Sequence, residues 1–165
     1  MLRSDIIHAK ESLTRLSIIK QVNVKQDKQK TNKYIIIDHE ADIGLEIYGK
    51  SMEELFVNAV DGLFSLIVDA KDVKPEKGKR FDTSANGETL IVFLNELLYM
   101  WETEGFIPVD FALKIDNKKV AGTVIGGIFD PAKHTAKQEV KAVTYHGFSI
   151  SKNENGFVAR IILDV

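Results

Sequence analysis

The 165-residue sequence contains no cysteine. This absence excludes a disulfide scaffold, a zinc-thiolate site, a cysteine-ligated iron–sulfur cluster and a cysteine nucleophile. Long apolar runs are also missing. The longest, such as residues 90–94 and 34–37, fall far short of the roughly 20 residues that span a bilayer. The composition is therefore that of an ordinary soluble globular protein, and we expect it to reside in the cytoplasm.

Several catalytic motifs are missing as well. The glycines at positions 122, 126 and 127 lie in a strand pattern without the Lys-Ser/Thr end of a phosphate-binding loop, and they fit close packing or a bulge. No Gly-x-Ser-x-Gly nucleophile elbow is present. The histidines and serines are too scattered to identify a triad. The motifs therefore point to no familiar hydrolase or nucleotide-binding enzyme.

Charge divides the chain into a basic start and an acidic remainder. Residues 1–30 hold seven Lys/Arg and three Asp/Glu, whereas the other 135 residues hold 15 basic and 21 acidic residues. An acidic body argues against tight, unaided binding of nucleic acid, because Lys and Arg contacts to phosphate dominate that affinity. The stretch 25–32 is almost wholly polar. We therefore predict an N-terminal extension and linker over residues 1–32, disordered or weakly helical, and one domain over residues 33–165.

Periodicity predicts two helices among several strands. Segment 51–54 (SMEE) fits a capping box, and apolar residues then recur at helical spacing to about Asp69. A second apolar stripe predicts a helix from about 88 to 103, which Gly105 ends. Short apolar and β-branched runs predict about seven or eight strands, near 34–37, 44–48, 79–83, 111–115, 119–129, 140–145, 147–151 and 157–165. The predicted fold class is α+β, a sandwich of mainly antiparallel strands with two main helices.

Two polar clusters lie at predicted strand ends. Segment 38–42 (DHEAD) places three carboxylates and an imidazole between two apolar strands, and segment 163–165 (LDV) closes a strand with Asp164 and the α-carboxylate of Val165. Each also has an ordinary explanation, as a solvated turn and a frayed terminus. If the clusters meet, their carboxylates would repel one another, and a hard divalent cation with oxygen ligands would relieve that repulsion. With cysteine absent, calcium or magnesium suits such a site better than a soft metal.

Five ordered segments resemble motifs of the archease family. Segment 38–44 (DHEADIG) is similar to the family's His-Thr-Ala-Asp signature, and the others are 51–69, 94–99 (LNELLY), 140–146 (VKAVTYH) and 159–165 (ARIILDV). The resemblance covers about residues 34–165. It departs from the family pattern where Glu40 replaces the usual threonine, so Glu40 could add a metal ligand or face solvent.

The resemblance implies an archease-like domain with an accessory role rather than an enzyme. Archeases assist the GTP-dependent RNA ligase of tRNA splicing. We therefore expect this chain to promote guanylylation and multiple turnover of that ligase, and to meet RNA only through it, with no membrane partner. The metal-bearing acidic end would help to place a divalent ion or the GTP phosphates, because metal ions neutralise developing phosphoryl charge.

The resemblance also implies which residues form the site. The family's divalent-metal site carries over onto Asp42, Asp164 and the carboxylate of Val165. The adjacent candidates for further ligands or supporting contacts are Asp38, His39 and Glu40. Residues that could contact the ligase or its nucleotide, or could be solvated surface, are Lys133, His134 and Lys141.

Two other functions stay open on the sequence alone. The same carboxylates could serve an independent metal-dependent hydrolase. The domain could instead be a chaperone-like protein-binding module without chemistry. An assay of ligase guanylylation with the cognate ligase would separate these functions from the accessory role.

Overall fold

Two helices and nine strands make up the part of the chain that the computed structural model describes, namely residues 32–39, 41–84, 87–116 and 118–165. The helices are α1 (Met52–Ile67) and α2 (Thr89–Glu104). The strands are β1 (Tyr34–His39), β2 (Asp42–Gly49), β3 (Val68–Asp69), β4 (Lys77–Ser84), β5 (Phe106–Ile115), β6 (Lys119–Ile128), β7 (Thr135–Ala136), β8 (Ala142–Asn153) and β9 (Gly156–Asp164). The predicted extension over residues 1–32 lies almost wholly outside the described residues, so that domain boundary stays a prediction.

Helix α1 begins at the predicted capping box. The Ser51 hydroxyl accepts a hydrogen bond from the N–H of Glu54 (3.2 Å), and the Glu54 carboxylate accepts one from the N–H of Lys50 (2.8 Å). These bonds satisfy N–H groups that have no partner within the helix. The start of α1 lies tightly against β2, since a Cβ built on Gly49 would approach the backbone nitrogen of Leu55 to 2.3 Å.

Helix α2 begins and ends differently from α1. Its N-cap residue, Glu88, makes no capping hydrogen bond through its side chain. The helix ends at Gly105, as predicted, where φ is 64° and the N–H donates to the carbonyl of Trp101 (2.9 Å). A left-handed residue at this position is most easily a glycine, because it has no Cβ.

The larger sheet has the strand order β1-β2-β9-β8, and every neighbouring pair is antiparallel. One of its faces is buried through Leu45, Ile47, Ala159, Ile161 and Leu163. Alternate residues of the same strands lie on the opposite face. The register of the β2–β9 pair is therefore fixed by apolar residues that must face the core.

The second sheet has three strands in the order β4-β6-β5, also antiparallel, and β3 pairs separately with β7. Strands β5 and β6 of the three-stranded sheet approach closely at Gly122, where φ is 142° and a Cβ would lie 2.1 Å from the carbonyl oxygen of Ala112. The predicted packing role of this glycine is therefore confirmed. Helix α1 packs on β2 and β5, and α2 packs on β5 and β8, so both helices join the two sheets around one core.

The predicted α+β class with two main helices and mainly antiparallel strands is confirmed. The described residues form nine strands rather than seven or eight, because the two-residue strands β3 and β7 give no periodic signal. Strand β5 begins at Phe106 instead of 111. It runs through Pro108, which is tolerated because β5 is an edge strand with a register shift between Pro108 and Asp110.

The two strands predicted at 140–145 and 147–151 form one strand, β8. Its register with β9 shifts between Thr144 and Ser149, and Gly147 within that bulge has a φ of 65°. The bulge at Gly147 therefore bends one continuous strand instead of separating two. In the described part of the chain, neither helix combines the length and apolarity needed to cross a membrane.

Candidate functional site

The two acidic clusters predicted from the sequence lie at the same end of the four-stranded sheet. His39 pairs with Asp42 across the β1–β2 hairpin, Ile43 pairs with Leu163, and Ala142 pairs with Asp164. Asp42 and Asp164 are therefore the next residues of β2 and β9 beyond the Ile43–Leu163 pair. The sequence left open whether the two clusters meet, and the register of β2 with β9 brings Asp42 and Asp164 together.

The direction of these two aspartates follows from the strand alternation. Leu163 is buried in the core, so its neighbour Asp164 lies on the other face of the sheet. The same alternation places Asp42 on that face, since Ile43 shares its side with Leu163. Both aspartates are exposed. Two carboxylates thus lie side by side on an open surface, where they are accessible to a ligand or a partner.

The last residue of the sequence extends this acidic row. The N–H of Lys141 donates to the carbonyl of Asp164 (2.8 Å), and the Lys141 ammonium donates to the main-chain oxygen of Val165 (3.2 Å). Lys141 thus holds the final two residues beside β8. We call the group formed by Asp42, Asp164 and Val165 the acidic tip.

The oxygen donors of the acidic tip suit a hard divalent cation. Among the described side chains, no group of three or more His, Cys, Asp or Glu is arranged to hold a metal ion. Asp42 and Asp164 are the two described aspartates at this sheet end, and the predicted contribution of the Val165 carboxylate stays a prediction. Glu40 and the side chains of Asp38 and His39 lie outside the described residues, so their predicted contributions stay predictions.

Strand β8 is held in place by a residue that sequence reasoning missed. The Asn95 side chain, on α2, donates from Nδ2 to the carbonyl of Val143 (2.9 Å) and accepts at Oδ1 from the N–H of Val143 (2.9 Å). Because β8 is an edge strand, this amide takes the place of a neighbouring strand. Val143 is the partner of Leu163, so Asn95 fixes the strand pair next to the acidic tip. The sequence signals were a polar residue within an apolar helix and its place in the segment 94–99 (LNELLY).

Lys133 and His134 belong to a turn that follows β6. The N–H groups of Lys133 and His134 donate to the carbonyl of Asp130 (2.9 and 2.8 Å), and the N–H of Asp130 donates to His134 Nδ1 (3.0 Å). His134 is only 7% exposed, while Lys133 is exposed and its ammonium lies 3.2 Å from the Asp130 carboxylate. A hydrogen bond from the N–H of Ala132, followed by Lys133, lowers the pKa of the Asp130 carboxyl.

The contacts of the three predicted basic residues therefore differ. Lys141 lies at the acidic tip, whereas His134 is built into the turn and Lys133 is bound to it. Among the described residues, His134 Nε2 is buried without a hydrogen-bond partner. The hydrogen bonds that its N–H and its Nδ1 form with the backbone of Asp130 favour a role for His134 in shaping the turn. Whether any of the three contacts a ligase or its nucleotide stays a prediction.

The fold and the site define a small α+β domain whose main sheet ends in an exposed acidic row. Residues 34–165 match the archease protein family. The chain is 38% identical to protein archease of Pyrococcus furiosus over 137 residues, covering 78% of this chain and 95% of the relative. It is 36% identical to protein archease of Archaeoglobus fulgidus over 140 residues, covering 81% and 99%. The chain therefore belongs to the archease family.

Solved structures agree with this assignment. The solution structure of protein 1598 of Methanobacterium thermoautotrophicum is 30% identical, with a TM-score of 0.70, and the match covers 82% of this chain and all of that one. A crystal structure from Thermotoga maritima, described as an archease and possible chaperone, shares the fold at 23% identity. Its TM-score is 0.54, and the match covers 78% of this chain and 94% of that one.

Proposed function

We propose that this chain activates the GTP-dependent RNA ligase of tRNA splicing in the cytoplasm. The acidic tip would bear a divalent cation, calcium or magnesium, and would promote guanylylation of the ligase and its multiple turnover. The observation that supports this proposal most is the register that makes Asp42 and Asp164 neighbours at one sheet end. Membership of the archease family supports the choice of partner.

The acidic tip suits this role because its carboxylates are exposed and held by rigid elements. Asp42 and Asp164 are carried by paired strands, and Lys141 ties Val165 to the edge of β8. When bound, a divalent cation would neutralise charge on phosphoryl oxygens. The residues of the tip would hold and orient it. We propose Asp38, His39 and Glu40 as additional ligands or supporting contacts, since they lie within four residues of Asp42 in the sequence.

An accessory role is favoured over an independent enzyme because the site offers carboxylates on an open surface rather than in an enclosed cleft. Catalytic clefts usually bury most of their substrate. The protein would act by inserting the acidic tip into a partner's active site. The residues proposed to contact the ligase or its nucleotide are Lys133, His134 and Lys141. The activity is assigned to residues 33–165.

The test is a guanylylation assay with purified cognate ligase, GTP, a divalent ion and labelled RNA ends. Asp42→Ala and Asp164→Ala should each reduce stimulation by at least about tenfold, because loss of a ligand weakens a metal site at least as much as loss of a supporting contact. Extending the chain by a few residues after Val165 should have a similar effect. A chain that begins at Asn32 should stimulate as well as the full chain.

Asp82→Ala provides a matched control. Asp82 is also an exposed aspartate, on the three-stranded sheet and paired with Lys119 at 2.6 Å, and its loss should leave stimulation unchanged. Excess calcium or magnesium should raise the melting temperature of the wild type and of Asp82→Ala by mass action, but not that of Asp42→Ala. Equal metal binding by wild type and Asp42→Ala would contradict the metal site. Hydrolysis of RNA or GTP by the protein alone would instead support a hydrolase. If the protein neither stimulates the ligase nor hydrolyses a substrate, the remaining function is that of a protein-binding module.

A further inference from the structure

A groove lies between α2 and the bulge of β8. Its volume is about 390 Å³. The residues that line it are Val92, Asn95, Glu96, Tyr99, Met100 and Tyr145. Five of them come from one stripe of α2, and the bulge in β8 supplies Tyr145 as the facing wall. None of the residues that line the groove belongs to the acidic tip, and no role was predicted for the groove from the sequence.

Two of the residues that line the groove are large, exposed aromatic side chains. Tyr99 is 65% exposed and Tyr145 is 54% exposed, although most of the apolar residues of α2 are buried. Tyrosine is enriched at the centres of protein interfaces, because a rigid ring buries a large area at a small cost in conformational entropy. Two such rings beside the same groove offer flat surfaces for a partner side chain to stack upon.

The polar groups of the groove select the charge of that side chain. The Asn95 amide is already occupied by Val143 and by the carbonyl of Ile91 (3.1 Å). Glu96 is the one charged residue among those that line the groove in the described structure, and its two carboxylate oxygens lie 2.8 and 2.9 Å from the Thr83 hydroxyl. That hydroxyl has a single proton, so the carboxylate keeps lone pairs for a further donor. The groove therefore offers a carboxylate together with two tyrosine side chains.

We propose that this groove is a docking site for an arginine side chain carried by a segment of a protein partner. A guanidinium group is planar, stacks on tyrosine rings and presents paired N–H donors that match a carboxylate. Glu96 would receive those donors while Tyr99 and Tyr145 flank the guanidinium and its alkyl stem. The open sides of the groove leave room for the residues before and after the arginine. The proposal does not depend on the function proposed for the acidic tip.

The test uses acetyl-Leu-Arg-Phe-amide as the probe, added to the ¹⁵N-labelled protein and followed by NMR. The matched control probe carries citrulline, which has the shape of arginine without its charge. We expect the arginine peptide to shift the amide signals around Tyr99 and Tyr145, with a dissociation constant of about 1 mM. The citrulline peptide should bind at least about fivefold more weakly, because it cannot form the ion pair.

Two variants assign the binding to the proposed contacts. Glu96→Gln retains an acceptor for Thr83 and so should fold normally, but it should lose the preference for arginine over citrulline. Tyr145→Ala should weaken both peptides, whereas Asp82→Asn should change neither. Equal binding of the two peptides, shifts confined to other surfaces, or no binding up to about 10 mM would overturn the proposal. Sedimentation that shows a dimer of the wild type, lost in Glu96→Gln, would assign the groove to a second copy and would also overturn it.

Discussion

The two helices are equally long and lie on the same core, but they are anchored in different ways. Helix α1 is fixed by local features: the cap at Ser51 and the close approach of Gly49 to Leu55. Helix α2 lacks a capping side-chain bond and is tied to β8 by Asn95 through two hydrogen bonds to Val143. The difference suggests that α1 mainly builds the core, while α2 also positions the edge strand that borders the acidic tip.

Gly49→Ala should have the largest effect, because it attacks the anchor of α1. The new Cβ would meet the backbone nitrogen and Cα of Leu55 at 2.3 and 2.6 Å, and neither backbone atom can move without shifting the helix. We expect a loss of about 3 kcal/mol in the free energy of unfolding, measured by urea denaturation. Gly44→Ala on the same strand is the control. Its Cβ would lie no closer than 3.4 Å to Ile37, so a similar loss there would argue against a steric cause.

Asn95→Ala should have the next largest effect, because it removes the anchor of α2. The N–H of Val143 would lose its acceptor and its carbonyl would lose a donor, which should cost about 2 kcal/mol. Asn58→Ala on α1 is the matched comparison, since Asn58 is buried and donates one hydrogen bond to the carbonyl of Tyr48 (2.7 Å). We expect it to cost about 1 kcal/mol less than Asn95→Ala.

Hydrogen exchange distinguishes this anchoring role from a general loss of stability. In Asn95→Ala the amide of Val143 should exchange faster than its neighbours in β9, while in Asn58→Ala it should stay protected. Uniform acceleration across β8 and β9 in Asn95→Ala would mean that the bond to Asn95 has no special place in holding the edge strand. The comparison between the two helices would then fail.

The same contrast explains how much of the fold could be predicted from the sequence. The capping box of α1 occupies four consecutive residues, and Gly105 follows directly after α2, so both signals were local. The hydrogen bond between Asn95 and Val143 joins residues 48 positions apart, and no periodicity of the sequence predicts it. The two-residue strands β3 and β7 were missed for a related reason, because they form only through their mutual pairing.

The candidate site shows the same limit. Local pattern identified two acidic clusters, but only the pairing of β2 with β9 places Asp42 beside Asp164. The resemblance to the archease family predicted these residues without the register, because members of a family share the fold that brings them together. The groove between α2 and β8 was not predicted at all, since Tyr145 lines it from a bulge within a strand that was predicted as two strands.

Ser51→Ala should produce a smaller loss that is specific to α1. Removing the hydroxyl leaves the N–H of Glu54 without its capping acceptor, at a cost of about 1 kcal/mol. Glu88→Ala at the corresponding position of α2 should change the free energy of unfolding very little, because Glu88 makes no capping bond through its side chain. Chemical denaturation of both variants measures the difference. Equal losses would show that the two helices depend on their N-caps alike.

The smallest predicted effect concerns the charge at the start of α1. Its first turn holds Glu53 and Glu54, whereas the first turn of α2 holds no acidic residue. A hydrogen bond from its own N–H, followed by one from the N–H of Ile115, lowers the pKa of the Glu53 carboxyl below its ordinary value of 4.5. Ionised Glu53 also interacts favourably with the positive end of the helix dipole.

A lowered pKa in the folded state means that the unfolded state binds the proton more readily. The contribution of Glu53 to stability is therefore fully present above pH 4.5 and is lost as the pH falls through the lower, folded pKa. Glu53→Gln should remove this contribution, about 0.3 kcal/mol at neutral pH, because solvent screens an exposed carboxylate. Urea midpoints measured from neutral to acidic pH should show the wild type and Glu53→Gln converging as the carboxyl is protonated. Parallel curves over that range would mean that the charge of Glu53 does not stabilise α1, and the capping hydroxyl of Ser51 would then account for the local anchor.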